Sequence, residues 1–221
     1  MSRATVMIIA KEPVPGAVKT RLCPPCTPEQ AAALAEAALR DTLDAMAAAR
    51  APRRLVVLDG SPPPWLGARF DVAPQRGDGL GLRLEAAFES CGGAGFIVAM
   101  DTPQLTPALL DRALDLLEEP GNDAVVGPTP DGGYWGIGFS APRPGAFAGV
   151  PMSTHRTLAC QLDRLAGLGL RTARLDELVD VDTIADARVV AAAAPRTRFA
   201  AVLGASGHAA DGQQPVSEAA A

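Results

Sequence analysis

Short apolar runs alternate along the chain with longer segments of helical pattern. The strand-like runs are rich in β-branched residues and cover residues 5–9, 54–58, 70–73, 95–100 and 122–127. The segment 27–50 instead places Leu34, Leu39 and Leu43 near one side of a helix. Strand and helix alternate nearly throughout, which predicts an α/β protein: a single-domain, doubly wound, mostly parallel sheet. A turn at Asp131 predicts one antiparallel insertion.

Capping residues mark the predicted helix starts. Thr27, Pro28 and Gln30 together predict a capping box with proline at the first helical position. Further starts are predicted at Thr106, at Ser153, and at Asp182 or Thr183. We expect a last strand and a turn within residues 175–181, and a folded domain over residues 1–195. Residues 196–221 are small and polar, so we expect a disordered tail that contains His208.

The overall composition is that of one globular domain. The chain has 221 residues, of which 48% are hydrophobic and 20% charged. A formal net charge of −5 argues against a broad nucleic-acid interface. No apolar run approaches the roughly 18 residues of a membrane span, and residues 1–4 lead into a strand without a signal-peptide pattern. We therefore expect a cytoplasmic protein without membrane or nucleic-acid partners, and the sequence leaves a homodimer open.

The cysteine usage indicates neither a disulfide framework nor a complete zinc site. Cys23 and Cys26 have the spacing of a redox motif or half a zinc site. A tetrahedral site needs a second pair of ligands, which the sequence lacks, and a reducing compartment disfavours a disulfide. We interpret the pair as loop residues.

The loop that follows the first strand is the strongest candidate site. Residues 10–22 contain two prolines and one glycine, which keep the chain from entering a helix. Three cations, Lys11, Lys19 and Arg21, lie within this loop. Fixed cations at the carboxyl end of a first strand are typical of a phosphate site. The alternative is a solvated basic loop without function. The segment is not a Walker loop, because that motif needs a second glycine before the lysine.

A glycine-rich turn precedes the second long helix. Its glycines are Gly77, Gly79 and Gly81. They allow close approach of the backbone to a ligand, and a helix start of this kind suits a nucleotide. Gln75 and Arg83 are the candidates for contacts to base or phosphate, with Gly79 at the turn. An ordinary strand-to-helix turn explains the pattern about as well.

Asp101 is the leading metal-ligand candidate. It directly follows the most apolar strand, where α/β enzymes bind their ligands. Carboxylate oxygens suit Mg²⁺ or Mn²⁺ bridging a diphosphate. A capping or turn aspartate is the alternative.

A second polar turn carries the aromatic candidates. Asp131 precedes two glycines, and Tyr134 and Trp135 follow in a chain that is only 4% aromatic. These rings could form a stacking wall for a sugar or base, with Asp131 as acid/base or second metal ligand. An ordinary hairpin with packed aromatics is the alternative. His155 is a weaker substrate-contact candidate, since a histidine in a first helical turn is usually at the surface.

The motifs resemble, in order, a family of small bacterial proteins described as domain of unknown function 2064 or as arsenosugar-type glycosyltransferases. This family is related to molybdenum-cofactor and phospholactate guanylyltransferases. The matching segments are the Lys-x-Pro-x-Pro-Gly-x-x-Lys-Thr-Arg-Leu loop at 11–22, the turn 77–84, the block 101–106, and the Asp-Gly-Gly-Tyr block at 131–134. The resemblance implies a glycosyltransferase-A fold, a nucleotide or nucleotide-sugar site on the first loop, and dependence on a divalent metal.

The resemblance also implies roles for individual residues. Lys11, Lys19 and Arg21 would hold phosphates, and Asp101 would take the metal-binding place of the Asp-x-Asp pair of that fold. Pro103 stands where the second carboxylate of that pair would be, so the resemblance leaves Asp131 to assist the metal. His155 stands where the family usually has a proline.

Three functions follow from these expectations. The favoured one is a metal-dependent glycosyltransferase that moves a sugar from a nucleotide-sugar donor to a small-molecule acceptor, with Asp131 as base. The first alternative is a nucleotidyltransferase that condenses a nucleoside triphosphate with a phosphorylated or phosphonate small molecule, using Lys19 and Arg21 on the triphosphate. The second is a nucleotide-binding protein without catalysis.

Overall fold

A computed structural model describes residues 4–209 of the chain, and within that range it contains seven strands and six α-helices. The strands are β1 (Thr5–Lys11), β2 (Arg53–Asp59), β3 (Asp71–Pro74), β4 (Gly95–Ala99), β5 (Ala124–Pro128), β6 (Tyr134–Phe139) and β7 (Thr172–Arg174). The helices are α1 (Pro28–Ala48), α2 (Leu80–Cys91), α3 (Pro107–Glu118), α4 (Thr157–Gly167), α5 (Ile184–Ala193) and α6 (Arg198–Ala205). None of the helices in this range is long and apolar enough to cross a membrane.

The strands form one mixed sheet in the order β3-β2-β1-β4-β6-β5-β7. All neighbouring pairs are parallel except those of β6, which runs antiparallel to both β4 and β5. The predicted single-domain, mostly parallel α/β sheet with an antiparallel insertion after Asp131 is confirmed. In such a sheet the loops that follow parallel strands meet at one edge, where ligands bind.

Helices cover both faces of the sheet, which explains why its central strands are apolar throughout. On one face Val6 and Ile8 of β1 pack with buried residues of α1 and α3. On the other face Met7 packs with buried residues of α2 and α4. Successive residues of a strand point to opposite faces, so a strand covered on both sides has no polar face.

Most of the predicted helix starts are confirmed, and one is wrong. Thr27 and Gln30 form the predicted capping box of α1, Thr106 caps α3, and Thr183 caps α5 in a second capping box. Ser153 does not cap α4, which begins only at Thr157. Ser153 has a positive φ of 57°, outside the helical region. The Thr157 hydroxyl donates to the Pro151 carbonyl, which holds the intervening residues in a turn.

The prediction of a last strand within residues 175–181 is also wrong. The strand β7 ends at Arg174, and the chain then runs as a loop along the carboxyl end of the sheet. The amide of Leu178 donates to the Pro128 carbonyl and the amide of Val181 to the Asp101 carbonyl. These bonds lead the loop past the end of β4 instead of along the edge of the sheet.

The expected disordered tail is wrong for residues 198–205, which form α6. Phe199 and Leu203 are fully buried together with residues of α1 and α5. The carboxylate of Asp41 on α1 accepts hydrogen bonds from the backbone amides of Arg198 and Phe199 at the start of α6. His208 follows and lies near Gln30 of α1. The expectation for residues 210–221 lies outside the described residues.

Candidate active site

Three loops at the carboxyl ends of the strands build the candidate site. They are the loop after β1, the loop after β4, and the segment 179–182 before α5. Residues of all three loops line a cavity of about 280 Å³, among them Lys11, Lys19, Arg21, Asp101 and Asp182. The structure therefore brings together the three cations and the aspartate that the sequence singles out, and it adds Asp182.

Lys19 is the central cation of this cavity. Its Nζ lies 2.6 Å from Asp101 Oδ2 and 3.3 Å from Asp182 Oδ1, and its side chain is only 12% exposed. Burial lowers the pKa of Lys19, but the two carboxylates outweigh burial and raise it overall. Arg21 donates to Asp182 Oδ2 at 2.7 Å from a largely exposed position. Both groups carry positive charge into the cavity.

A cluster of three carboxylates adjoins these cations. Asp101, Asp180 and Asp182 each place one carboxylate oxygen within 4.8 Å of the others. Asp101 Oδ1 is buried and has no hydrogen-bond partner. A buried carboxylate oxygen is costly to leave unpaired, and three convergent carboxylates are the donor set that Mg²⁺ or Mn²⁺ prefers. The cluster therefore fits a divalent cation.

Asp180 and Asp182 are the site residues that sequence analysis misses. Pro103 supplies no carboxylate beside Asp101, and the residues that complete the carboxylate cluster lie about 80 positions later in the chain. The signal for them is the alternation in Asp180-Val181-Asp182, because residues two apart in an extended segment point to the same side. The sequence instead predicts Asp182 or Thr183 as the cap of the last helix, and Thr183 takes that position.

Two hydrogen bonds hold the late segment against the loop after β4. Gln104 Nε2 donates to the Val179 carbonyl, and the Val181 amide donates to the Asp101 carbonyl at 3.0 Å. These bonds bracket Asp180, so they orient its carboxylate and that of Asp182 toward Asp101. The geometry of the carboxylate cluster depends on these two hydrogen bonds.

The protonation of Asp180 responds to the same crowding. Its pKa is raised to about 7, first by burial and then by the negative charges of Asp101, Asp131 and Asp182. A carboxyl group with this pKa exchanges its proton near neutral pH. A bound cation favours the ionised form.

A second cavity of about 320 Å³ adjoins the first. Arg21, Asp101 and Asp182 line both cavities. Asp131, Asp180, Tyr134 and Thr154 line the second cavity alone. Of the described residues that line it, Arg21 is the one cation, against four aspartates. The Tyr134 hydroxyl lies 3.4 Å from Gln161 Oε1, and burial raises the Tyr134 pKa, so this group stays protonated. The second cavity is therefore rich in hydroxyl and carboxylate groups.

Asp131 lies in this second cavity and not in the cluster of Asp101, Asp180 and Asp182. Its carboxylate accepts hydrogen bonds from the Thr129 hydroxyl and, at 2.9 Å, from the Gly133 amide. These contacts stabilise the turn between β5 and β6 and fix the carboxylate at the cavity wall. Asp131 is positioned to accept a proton from a ligand, whereas Asp180 and Asp182 are the partners of Asp101.

The predicted wall of two aromatic rings is wrong for Trp135. This side chain is 1% exposed, donates from Nε1 to the Asp176 carbonyl, and packs edge-on against Phe96. Because neighbouring residues of a strand point to opposite faces, Tyr134 and Trp135 cannot both face the cavity. Tyr134 alone lines it.

His155 does not reach either cavity. It is exposed, and neither cavity includes it in its lining. Its backbone carbonyl packs so tightly against Gly132 that a Cβ at Gly132 would overlap it. The prediction of a substrate contact by His155 is not supported by this placement, and its neighbours Ser153 and Thr154 line the second cavity instead.

The glycine-rich turn lies beside the cavities, and its polar residues hold the scaffold. Gln75 Nε2 donates to the Ala10 carbonyl at 2.7 Å. Arg83 donates to Gln75 Oε1 at 3.0 Å and to Asp59 Oδ2 at 3.1 Å. These bonds join the turn to the ends of β1 and β2. Gly79 precedes α2 with a φ of 84° and lines a separate groove.

Comparison with known proteins identifies the family. Residues 31–154, more than half of the chain, match the bacterial family described as an uncharacterized conserved protein, DUF2064. The chain belongs to this family. The predicted family is thus confirmed. No significant match is found among curated proteins.

Solved structures share the fold of this DUF2064 protein. One from Desulfovibrio desulfuricans, named as a proposed nucleotide-diphospho-sugar transferase, is 27% identical with a TM-score of 0.83 and covers 93% of this chain and 95% of its own. The Rv0371C protein of Mycobacterium tuberculosis in complex with manganese is 18% identical with a TM-score of 0.51, covering 86% and 98%. A cytidylyltransferase from Leptospira borgpetersenii is 10% identical with a TM-score of 0.58, covering 93% and 94%.

These neighbours confirm the nucleotide-diphospho-sugar transferase fold. The Desulfovibrio and Leptospira proteins are transferases of the nucleotide-sugar or nucleotidyl type by name. The two more distant structures show the fold alone. The choice between sugar transfer and nucleotidyl transfer therefore depends on the chemistry of the two cavities.

Proposed function

We propose that this chain is a divalent-metal-dependent glycosyltransferase that moves a sugar from a nucleotide-sugar donor to a hydroxyl group of a small acceptor. The supporting observation is the contrast between the two adjoining cavities. The first contains Lys11, Lys19 and Arg21 beside Asp101 and Asp182. The second shares Arg21 and these two aspartates, adds Asp131 and Asp180, and is lined by no lysine among the described residues. A diphosphate suits the first cavity, and a ligand rich in hydroxyl groups suits the second.

The donor phosphates would bind in the first cavity. Lys19 forms an ion pair with Asp101, and Arg21 forms one with Asp182. These two cations therefore lie next to the carboxylates that a bound metal ion would contact. Asp101, Asp180 and Asp182 would hold Mg²⁺ or Mn²⁺, and the manganese complex of the Rv0371C protein is consistent with that choice. When bound, the ion would neutralise charge on the departing nucleoside diphosphate.

The acceptor would bind in the second cavity with Asp131 as general base. The acceptor hydroxyl gives its proton to the Asp131 carboxylate while its oxygen forms a bond to the anomeric carbon of the sugar. The bond from that carbon to the diphosphate breaks, and its electron pair leaves with the nucleoside diphosphate. Thr154 and Tyr134 would orient the acceptor through their hydroxyl groups.

Nucleotidyl transfer is the second candidate, and the three cations of the first cavity favour it. A nucleoside triphosphate carries more negative charge than a nucleotide sugar and would use all three. An anionic second substrate, however, would have to enter a cavity with four aspartates and one arginine. Like charges in one site repel, so we place this candidate second.

Ligand screening with product analysis separates the candidates. We would measure melting temperatures with nucleoside mono-, di- and triphosphates and nucleotide sugars, with and without Mn²⁺, and then assay released nucleoside diphosphate or pyrophosphate. A ligand at about 100 times its Kd stabilises by about 2.7 kcal/mol. We expect Mn²⁺-dependent stabilisation by one nucleotide sugar, lost in Asp101→Asn and kept in the control Asp163→Asn, which alters an exposed residue of α4.

Other outcomes would redirect or end the proposal. Stabilisation by a triphosphate with release of pyrophosphate would establish nucleotidyl transfer. Nucleotide binding without turnover across a panel of donors and acceptors would indicate a binding protein. If no nucleotide changes the melting temperature, the phosphate site in the first cavity is refuted.

A further inference from the structure

A third cavity, of about 450 Å³, opens beside the second. We call it the apolar groove, and it is lined by residues 78–82, Glu85, Gly145, residues 147–150 and Met152. It lies between the glycine-rich turn with the start of α2 and the loop that precedes α4. Its volume falls within the range of pockets for small organic ligands.

The apolar groove is continuous with the second cavity. Leu80 and Met152 line both spaces, so one ligand can extend over these two side chains. The Met152 sulfur lies 3.7 Å from the Tyr134 hydroxyl inside the second cavity. Gly81 also lies at this junction, since a Cβ on it would be in van der Waals contact with the end of Met152 at 3.5 Å. Methionine adapts its shape readily, which suits a boundary between a polar and an apolar subsite.

The lining of the groove selects against anions. Asp78 and Glu85 are its charged residues, and neither lysine nor arginine lines it among residues 4–209. The Glu85 carboxylate accepts a hydrogen bond of 2.6 Å from the backbone amide of Gly145, and this bond holds the loop before α4 against α2. Leu82 is 59% exposed and Leu80 37% exposed, and both are large apolar residues. A phosphate or carboxylate is unfavourable here, whereas an uncharged or cationic apolar group is not.

We propose that the apolar groove binds an uncharged or cationic apolar group of the acceptor, whose hydroxyl lies in the second cavity. This assignment rests on the proposed transfer to a hydroxyl acceptor and narrows the acceptor to an amphiphilic small molecule with an alkyl or aryl part. The phosphates of the nucleotide are assigned to the first cavity, because Lys11, Lys19 and Arg21 line that cavity and none of the three lines the groove.

Binding of simple probes tests the groove independently of turnover. We would record saturation-transfer NMR and Kd values for 1-butanol, 1-hexanol, hexylammonium and hexanoate on the full chain with Mn²⁺. We expect Kd to fall by up to about fourfold for each added methylene from butanol to hexanol. Hexylammonium should bind at least as well as hexanol, and hexanoate at least fivefold more weakly.

Matched variants locate the binding. Leu82→Asp should weaken hexanol binding at least fivefold, whereas Val189→Asp should not, because Val189 is similarly exposed at 55% but lies on α5. Neither substitution should alter stabilisation by the donor nucleotide. With an identified donor, Leu82→Asp should raise KM for an alkyl-bearing acceptor and leave KM for its methyl analogue unchanged.

The results that overturn the assignment are distinct from those that overturn the transferase. Equal hexanol binding by wild type and Leu82→Asp would refute the groove. Displacement of hexanol by a nucleoside diphosphate would assign the groove to the nucleotide. If no nucleotide binds the wild type while hexanol binding follows the predicted pattern, the transferase fails and the groove remains an apolar ligand site.

Discussion

At the scale of single residues, the candidate site is organised by unlike charges held at short range. Lys19 adopts a positive φ of 47°, which is unfavourable for a residue other than glycine. This conformation places its ammonium group between Asp101 and Asp182, and the two ion pairs offset the local strain. Asp180 has no such cation partner among the contacts described, so its carboxyl responds to the negative charges around it.

The raised pKa of Asp180 predicts a pH dependence of stability in the metal-free protein. The pKa of Asp180 is about 7 in the folded state, above the ordinary 3.8. Between these two pH values the folded state therefore keeps a proton that the unfolded state has lost. The contribution of Asp180 to stability is therefore complete below about pH 4 and is lost as the pH rises through 7. Urea unfolding in EDTA should show this fall in wild type relative to Asp180→Asn.

Manganese should oppose this trend, because it binds the ionised carboxylates. We expect its stabilising effect on wild type to grow from pH 5 to pH 7.5 and to be much smaller in Asp180→Asn. If the free energy of unfolding changed with pH and with Mn²⁺ in the same way in wild type and Asp180→Asn, the role assigned to Asp180 would be contradicted.

The sequence predicts which residues line the first cavity when their position depends only on the strand that they follow. Lys19, Arg21 and Asp101 follow strands with clear apolar patterns, and all three line the first cavity. Trp135 shows the limit, since the sequence shows an aromatic next to a polar turn but not which face of β6 it occupies. The alternation rule allows one of Tyr134 and Trp135 into the site and does not say which one.

At the scale of elements, α6 shows how a distant contact creates structure that local sequence does not indicate. Its residues are mostly small, and its two large buried side chains, Phe199 and Leu203, are spaced by one helical turn. The carboxylate that receives its first amides belongs to Asp41, more than 150 residues earlier. Long-range partners of this kind also explain why Asp180 and Asp182 are missed as ligands.

The packing of α6 predicts a large effect of a single truncation. Phe199→Ala should lower the free energy of unfolding by about 3–4 kcal/mol, because it removes a side chain that is 1% exposed and leaves a cavity against α1. Val189→Ala on the exposed face of α5 should change it by less than about 0.5 kcal/mol. Urea midpoints measure both, and an effect of Phe199→Ala below about 1 kcal/mol would mean that α6 does not stabilise the domain.

At the scale of the whole molecule, the sheet divides the site into two halves. The end of β1, the loop after it and the loop after β4 supply most of the first cavity. The turn between β5 and β6, the segment that leads into α4, and residues 180 and 182 supply most of the second. The sequence predicts this architecture well, because alternating strands and helices restrict the topology. It does not predict the carboxylate cluster, which forms only when the segment 179–182 crosses from the second half to the end of β4.

This division predicts that donor binding and catalysis can be altered separately. Lys11→Gln removes a cation that lines the first cavity alone, so it should weaken binding of the nucleoside diphosphate with Mn²⁺ by about tenfold. Asp131→Asn keeps the oxygen that accepts the Gly133 amide, so the turn should stay intact while the general base is lost. We expect an unchanged Kd for the nucleoside diphosphate and a fall in kcat of about 100-fold or more.

Calorimetry for the Kd and initial rates for kcat distinguish the two halves, and the double variant supplies the control. Since the two side chains line different cavities, their free-energy effects should add within about 0.5 kcal/mol. If Asp131→Asn weakened nucleotide binding as much as Lys11→Gln does, the two cavities would act as one subsite. In that case the acidic lining of the second cavity would not distinguish a nucleotide-sugar donor from a nucleoside triphosphate.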